Sequence, residues 1–383
     1  MNKRDVAIID IGSTAITVMV GERGVNGTFR IKGKGEADYA GFQKGEFLEP
    51  DQVKYALGLA IANAETIYGS KITDVVVGVP GEFTSVVCRD ACINFTKRKK
   101  INDNDIRQLY FVGNIYKKHP THSVINQSPV YFTLDDGRRL IEPRGMASTK
   151  LRGFISYVLA ENNFIDFIDD ILADLSIRKT GYISSCLAEA MHLFEPSVRD
   201  RYVILVDCGY ITTSVMLVRG DGLLFLNSFS LGGGYITGDL SQCLKIPFAE
   251  AESLKKKVVL SWDASESDTY EVQGKDFISP FSAKATNEIV QDRIDMITGY
   301  ILKCLERCEF EFPEYIPVYL TGGGLNFIKG AKDFIARKLG RRVELVAPNL
   351  PHISRPDYSS EIGLLDMALE CQETDKFLLV NNR

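Results

Sequence analysis

The sequence predicts a duplicated α/β protein of two lobes, and three observations carry that expectation. Residues 6–21 read VAIIDIGSTAITVMVG and residues 203–218 read VILVDCGYITTSVMLV; a shift of 197 positions carries Asp10 onto Asp207, Gly12 onto Gly209, Val18 onto Val215 and Met19 onto Met216. Each copy is a β-rich run, an acid-and-glycine turn and a second β-rich run, so one β-meander opens each half. Between and after the meanders, short apolar runs alternate with helical apolar stripes, the pattern of α/β units. Two further glycine clusters, Gly232–Gly234 and Gly322–Gly324, fall in the second half, the latter between a strand and a helix.

The elements follow in order. Turns at Gly24–Gly27 and Gly220–Gly222 lead from each meander into a third strand. Val53, Ala56, Leu57, Ala60, Ile61, Ala64, Ile67 and Tyr68 form a helical stripe that Gly69 can end. DVVVGV at 74–79 reads as a buried strand closed by Pro80-Gly81. The next block reads as strand 84–95, helix 103–117, strand 122–134, strand 150–160 and helix 162–175, an αβ insertion before the second meander. Phe164, Phe167, Ile168, Ile171 and Leu175 share one face of its last helix and are assigned to core. Further on come SLGGGYITGDL (230–240), a helix at 249–258, a polar loop or hairpin, a long helix at 284–309 and strand 318–320 into TGGGL. Helix 327–339, strand 342–346 and a helix near 360–371 complete the pattern.

Composition narrows the class. The chain has 383 residues, 45% apolar and 25% charged, with a formal net charge of -5, which argues against nucleic acid as a partner. No apolar run approaches the roughly 18 residues of a membrane helix, and MNKRDVAIID lacks a signal core. A cytoplasmic home is expected. Eight cysteines without disulfide or zinc spacing are read as buried reduced thiols, and His119, His122, His192 and His352 show no triad or metal spacing.

An Asp-x-Gly turn has two chemical uses. Its glycine lets backbone amides approach a phosphate, and its carboxylate can hold Mg²⁺ through water. One such turn is an ordinary structural turn; two related by duplication can clamp one phosphate chain from both sides. Neither a GxxxxGK[ST] nor a GxGxxG after the first strand occurs, which weakens P-loop and Rossmann alternatives.

DIGSTAIT, VDCGYITTS and YLTGGGLNFIKG resemble the two phosphate motifs and the adenosine motif of the actin, heat-shock chaperone and sugar-kinase ATPases, and GYISSCLAEA and EIGLLDMAL fall where that superfamily has its two hinge helices. Within it, GGGYITGDL followed by PFAEAESLKKK, and INQSPVYFTLDDG…PRGMASTKLRGFISYVLAENNFIDFI, resemble the bacterial cell-division protein family FtsA. The resemblance covers nearly the whole chain. It implies an α/β, actin-like (ribonuclease H-like) duplicated two-lobe fold, with a five-stranded sheet in each lobe and an FtsA-type inserted αβ subdomain. The expected divisions are a first lobe of 1–81 completed by 177–200 and 353–383, the insertion 82–176 sitting on that lobe, a second lobe of 201–247 completed by 316–352, and a small subdomain 248–315.

The resemblance also implies ATP and Mg as cofactors. Asp10 and Asp207 would flank the hydrated Mg²⁺; Gly12, Ser13 and Thr14 would line one side of the phosphates, and Gly209 with Thr212 the other. Gly233 and Gly234 would approach phosphates or ribose, Glu252 and Lys255 would lie over ribose and adenine, and Gly322, Gly323 and Gly324 would leave room for the adenosine. Tyr210 and Ile211 stand where the family pattern has glycines, Ser214 replaces the acid that in relatives helps position the attacking water, and Ala15 stands where FtsA often has lysine. These departures predict weak phosphate contacts and hydrolysis that is very slow or absent. The implied function is a scaffold that polymerises and links the FtsZ C-terminal tail and other division proteins to the cytoplasmic face of the membrane. Two alternatives remain: a PilM-like pilus-assembly adaptor, and a small-molecule kinase. The basic run Lys97–Lys100 reads as a solvated loop, with contact to anionic lipid or an acidic partner as the alternative, and KFLLV within the closing CQETDKFLLVNNR is too short to make a two-face interfacial helix.

Overall fold

A computed structural model describes residues 4–24, 28–116, 119–273, 278–350, 353–373 and 378–379. The Gly24–Gly27 turn, the 103–117 helix end, the polar stretch after Gln273, His352 and most of the closing KFLLV segment lie partly or wholly outside those residues.

The first lobe starts with the meander β1 (Asp5–Ile11), β2 (Ala15–Arg23) and β3 (Phe29–Asp38). A small ribbon, β4 (Phe42–Gln43) with β5 (Glu46–Phe47), leads to helix α1 (Pro50–Tyr68). Proline in its first turn suits the unpaired amides there, and Gly69 ends it at φ 76°. Its stripe lies flush on β3 because Gly35 has no side chain: a Cβ there would stand 2.0 Å from the Ala60 carbonyl oxygen. Strand β6 (Asp74–Val79) follows.

The insertion is β7 (Thr84–Lys100), α2 (Asp103–Gly113), β8 (His122–Thr133), β9 (Arg139–Leu140), β10 (Ala147–Glu161) and α3 (Asn162–Asp174). Strand β7 is longer than its pattern suggested. Lys99 and Lys100 pair with Ser148 and Ala147, so the basic run is a strand end rather than a loop. The insertion encloses its own core around Leu109, Phe132, Leu151 and Tyr157. It also grips the second lobe: Asp221 donates its amide to Pro129 O at 3.0 Å, and Ser156 donates to Leu223 O at 2.6 Å. Phe164, Ile168 and Ile171 of α3 join the first-lobe core.

Strand β11 (Arg178–Ser184), helix α4 (Ser185–Leu193) and the short α5 (Pro196–Arg199) lead into the second meander, β12 (Val203–Cys208), β13 (Thr213–Arg219) and β14 (Gly222–Phe229). Helices α6 (Gly233–Leu244) and α7 (Phe248–Lys255), hairpin β15 (Thr269–Gln273) with β16 (Ile278–Ser282), and α8 (Ala283–Glu306) come next. Strand β17 (Val318–Thr321), α9 (Ala331–Leu339), β18 (Val343–Leu345), α10 (Ser359–Glu373) and β19 (Leu378–Leu379) finish the chain. Helix α9 begins later than its pattern suggested, because Gly330 at φ 85° starts it.

The two lobe sheets are β11-β6-β1-β2-β3 and β14-β13-β12-β17-β18, each with its meander antiparallel and its remaining strands parallel. The insertion sheet is β19-β8-β10-β7. Helices α4 and α10 cross where Gly363 meets the Glu189 backbone; a Cβ on Gly363 would stand 2.7 Å from Glu189 Cα. Among the described residues no helix is long and apolar enough to cross a membrane. The cysteines are free, but Cys92 and Cys243 are exposed, correcting the expectation that all are buried.

Candidate nucleotide site between the lobes

The duplicated turns are superimposable in their hydrogen bonding. Gly12 donates its amide to Ala15 O and Gly209 donates to Thr212 O, both at 2.9 Å. Asp10 stands opposite Thr17 across one hairpin, and Asp207 opposite Ser214 across the other. Both carboxylates line one cavity of ≈150 Å³ between the lobes, together with Gly12, Ser13, Gly209, Thr212, Gly322 and Gly323. A larger adjoining cavity of ≈380 Å³, within the size range of small-molecule sites, is lined by Gly12, Ser13, Thr14, Gly209, Glu252, Lys255, Gly323 and Gly324, with Asp10 on its border.

The small cavity is electronegative. Asp10 is buried and accepts hydrogen bonds from Ser185 Oγ at 3.2 Å and Ser360 Oγ at 3.0 Å, one hydroxyl from each connecting helix. Burial still outweighs those bonds and pushes its carboxyl above the usual carboxylate range. Burial beside Asp10 raises Asp207 to about 7. Glu189, on α4, is pushed well up by burial and by Asp207 and Asp10, and its Oε1 has no hydrogen-bond partner. Among the described residues no Lys, Arg or His lines this cavity. A lining dominated by oxygen donors and free of basic side chains, with the Cys186 thiol as its one sulfur and an orphaned buried carboxylate oxygen on Glu189, fits a hard divalent ion such as Mg²⁺. No three acidic, thiol or imidazole side chains among the described residues are grouped tightly enough to chelate a bare ion, so the fit is to a hydrated one.

The larger cavity has mixed charge and an aromatic wall. Arg355 lies over the rings of Phe327, at 5.5 Å, and Tyr358, at 5.2 Å. Lys34 pairs with Glu361 at 2.6 Å. Lys255 is buried and donates to Glu252 Oε2 at 2.8 Å, Thr237 Oγ1 at 3.0 Å and Gly233 O at 3.2 Å. The acid and base singled out in sequence are therefore a structural pair in which Lys255 is committed to protein partners. Tyr210 completes the group, donating to Glu252 at 3.4 Å with its ring 5.1 Å from the Lys255 ammonium.

The glycines divide. Gly233 and Gly234 line neither cavity: a Cβ on Gly233 would stand 2.4 Å from Gly324 O, and one on Gly234 2.6 Å from the Tyr210 ring. Their amides go to Gly209 O and Tyr210 O. Gly322 and Gly324 likewise pack on the Asp207–Gly209 backbone. Gly323 meets only Asp357 and Phe327, and lines both cavities. Sequence reading missed Ser185, Glu189, Ser360, Lys34, Glu361 and Arg355. One signal was present: Glu189 is a lone acid in the apolar run CLAEAM.

Two lobes built on duplicated meanders, with paired carboxylate turns facing one crevice, define an actin-like protein. Solved structures agree on the fold. The PilM-PilN type IV pilus biogenesis complex matches with TM-score 0.62 at 15% identity, over 95% of this chain and 98% of that one. MreB5 of Spiroplasma citri bound to AMPPNP matches with TM-score 0.57 at 10% identity, over 97% and 98%. In sequence the chain resembles the bacterial cell-division protein FtsA. The family described as Cell division protein FtsA matches residues 204–363. FtsA of Enterococcus faecalis is 25% identical over 371 residues, 95% of this chain and 83% of that protein. FtsA of Streptococcus pneumoniae is 26% identical over 374 residues, 96% and 80%.

Proposed function

We propose that the chain is an actin-like cell-division scaffold that binds Mg-ATP between its lobes, self-associates into filaments, and links FtsZ and other division proteins to the cytoplasmic face of the membrane. The observation that supports this most is the pair Asp10 and Asp207, set at matching register on the two meanders and lining one cavity. Asp10 and Asp207 would hold the hydrated ion, and Ser13, Thr14 and Thr212 would face the phosphates. Bound there, magnesium would offset the charge of the phosphate oxygens. Gly323 and Phe327 would border the base, with Glu252 positioned by Lys255 beside the ribose.

Turnover is very slow or absent in this reading. Ser214, at the position that would orient a water, instead shares a 2.8 Å hydrogen bond with Ser228. Calorimetry with Mg-ATP tests the site: no heat and no thermal shift at millimolar ATP would end the nucleotide reading. Pull-down with an FtsZ tail peptide tests the partner, and capture of a pilus-protein peptide instead would favour the PilM-like adaptor. A coupled kinase assay exceeding about 1 s⁻¹ on any sugar would favour an enzyme.

A further inference from the structure

We propose that Glu189 is a third carboxylate of the cation site, so that a hydrated divalent ion held by Asp10, Asp207 and Glu189 ties the crossing of the two connecting helices to both phosphate turns. The inference deepens the cleft reading and shares its premise that the interlobe cavity takes a cation-bearing ligand.

Three observations carry it. Glu189 is 2% exposed, lines the same ≈150 Å³ cavity as Asp10 and Asp207, and has an Oε1 without any hydrogen-bond partner. Asp10 already accepts from two serine hydroxyls, so its demand is partly met within the protein; that of Glu189 Oε1 is not. A buried carboxylate with neither base nor donor is expensive unless a ligand supplies positive charge or protons. No basic side chain lines the cavity among the described residues, which leaves that charge to come from outside the chain.

Position gives the third observation its meaning. Glu189 sits on α4 where α10 crosses it, with the Gly363 backbone packed against Glu189 Cα and Ala188 O. The carboxylate cannot withdraw by a helix shift without parting the crossing. Asp10 belongs to the first lobe, Asp207 to the second, and Glu189 to the helix pair joining them. Their oxygens cannot chelate a bare ion, so the ion would be bridged through its own water shell. Such a clasp would make lobe closure depend on the cation.

Electron paramagnetic resonance with Mn²⁺ as the probe tests this on the full chain, wild type and Glu189→Gln, each with and without ATP. The expected result is tight Mn²⁺ binding by wild type, weakened at least tenfold in the variant. Metal-free thermal melting adds a readout that a purely structural carboxylate would move the other way: E189Q should melt at or above wild type, because an unpaired buried acid has gone. If E189Q fails to fold, Glu189→Asp keeps the charge but shortens the reach, and should weaken Mn²⁺ severalfold. Equal Mn²⁺ affinity in wild type and variant, or no Mn²⁺ bound by wild type under either condition, overturns the inference. Mn²⁺-ATP bound equally by both ends this inference and leaves the nucleotide reading standing. Mn²⁺ bound by wild type alone, with no uptake of ATP, does the reverse.

Discussion

Ser13 Oγ accepts the amide proton of Ile211 at 3.2 Å, joining the first-lobe turn directly to the second-lobe turn. Both groups lie where a phosphate chain would be gripped, and in this state each satisfies the other. Nearby, Tyr39 donates to Gly12 O at 2.7 Å, and Gly41 at φ 86° leaves no room for a side chain beside Ser13 O. The two turns are therefore bonded to each other across the crevice, and a phosphate that took up either group would displace that bond.

Replacing Ile211 by Gly should ease this displacement. Glycine lets the amide turn away from Ser13 and toward a phosphate, at a stability cost of about 0.5–1 kcal/mol. Mg-ATP affinity should rise about tenfold, the worth of one added hydrogen bond. Calorimetry on wild type and Ile211→Gly measures it; unchanged affinity would mean that this residue is not the obstacle.

Lys255→Met should destabilise the second lobe by about 3 kcal/mol, because it strips a partly buried Glu252 of its closer, buried cation and leaves only the exposed Lys256 at 3.8 Å. Three donated hydrogen bonds disappear with it. Urea unfolding gives the figure. A loss below 1 kcal/mol would show that the pair is weakly coupled to the fold.

Glu361 sets a pH dependence. Burial raises its pKa from 4.5 to about 7, against the opposing pull of Lys34. The folded protein then holds an extra proton between those values, so this contribution to stability is present near pH 4.5 and is lost as pH rises through 7. The loss is at most about 3 kcal/mol. Urea unfolding at pH 5 and pH 8 should show wild type falling relative to Glu361→Gln by that order. Parallel curves would remove Glu361 as the cause.

Gly363→Ala should pry α4 from α10, since its Cβ would stand 2.7 Å from Glu189 Cα and 2.8 Å from Ala188 O. Overpacking of this kind costs about 1–3 kcal/mol. Small-angle scattering should show a wider interlobe angle alongside a lower melting temperature. A normal profile would mean that the crossing relaxes locally.

Local sequence determined much of the architecture. The 197-residue offset that aligned Asp10 with Asp207 reappears as Asp10 opposite Thr17 and Asp207 opposite Ser214, because hairpin register follows alternation and turn length. Helix α1 is legible for the same kind of reason: its stripe, its opening proline and its closing Gly69 all act within a few residues. What only the tertiary structure decided is which groups meet across long separations. Ser360 reaches Asp10, Lys34 reaches Glu361, Ser13 reaches Ile211, and Lys255 is spent on Thr237 and Gly233. Periodicity reports which face of an element is buried; it carries no information about which buried face of another element lies opposite. Partner choice, and with it the charge balance of the cleft, was settled only when the two lobes closed on each other.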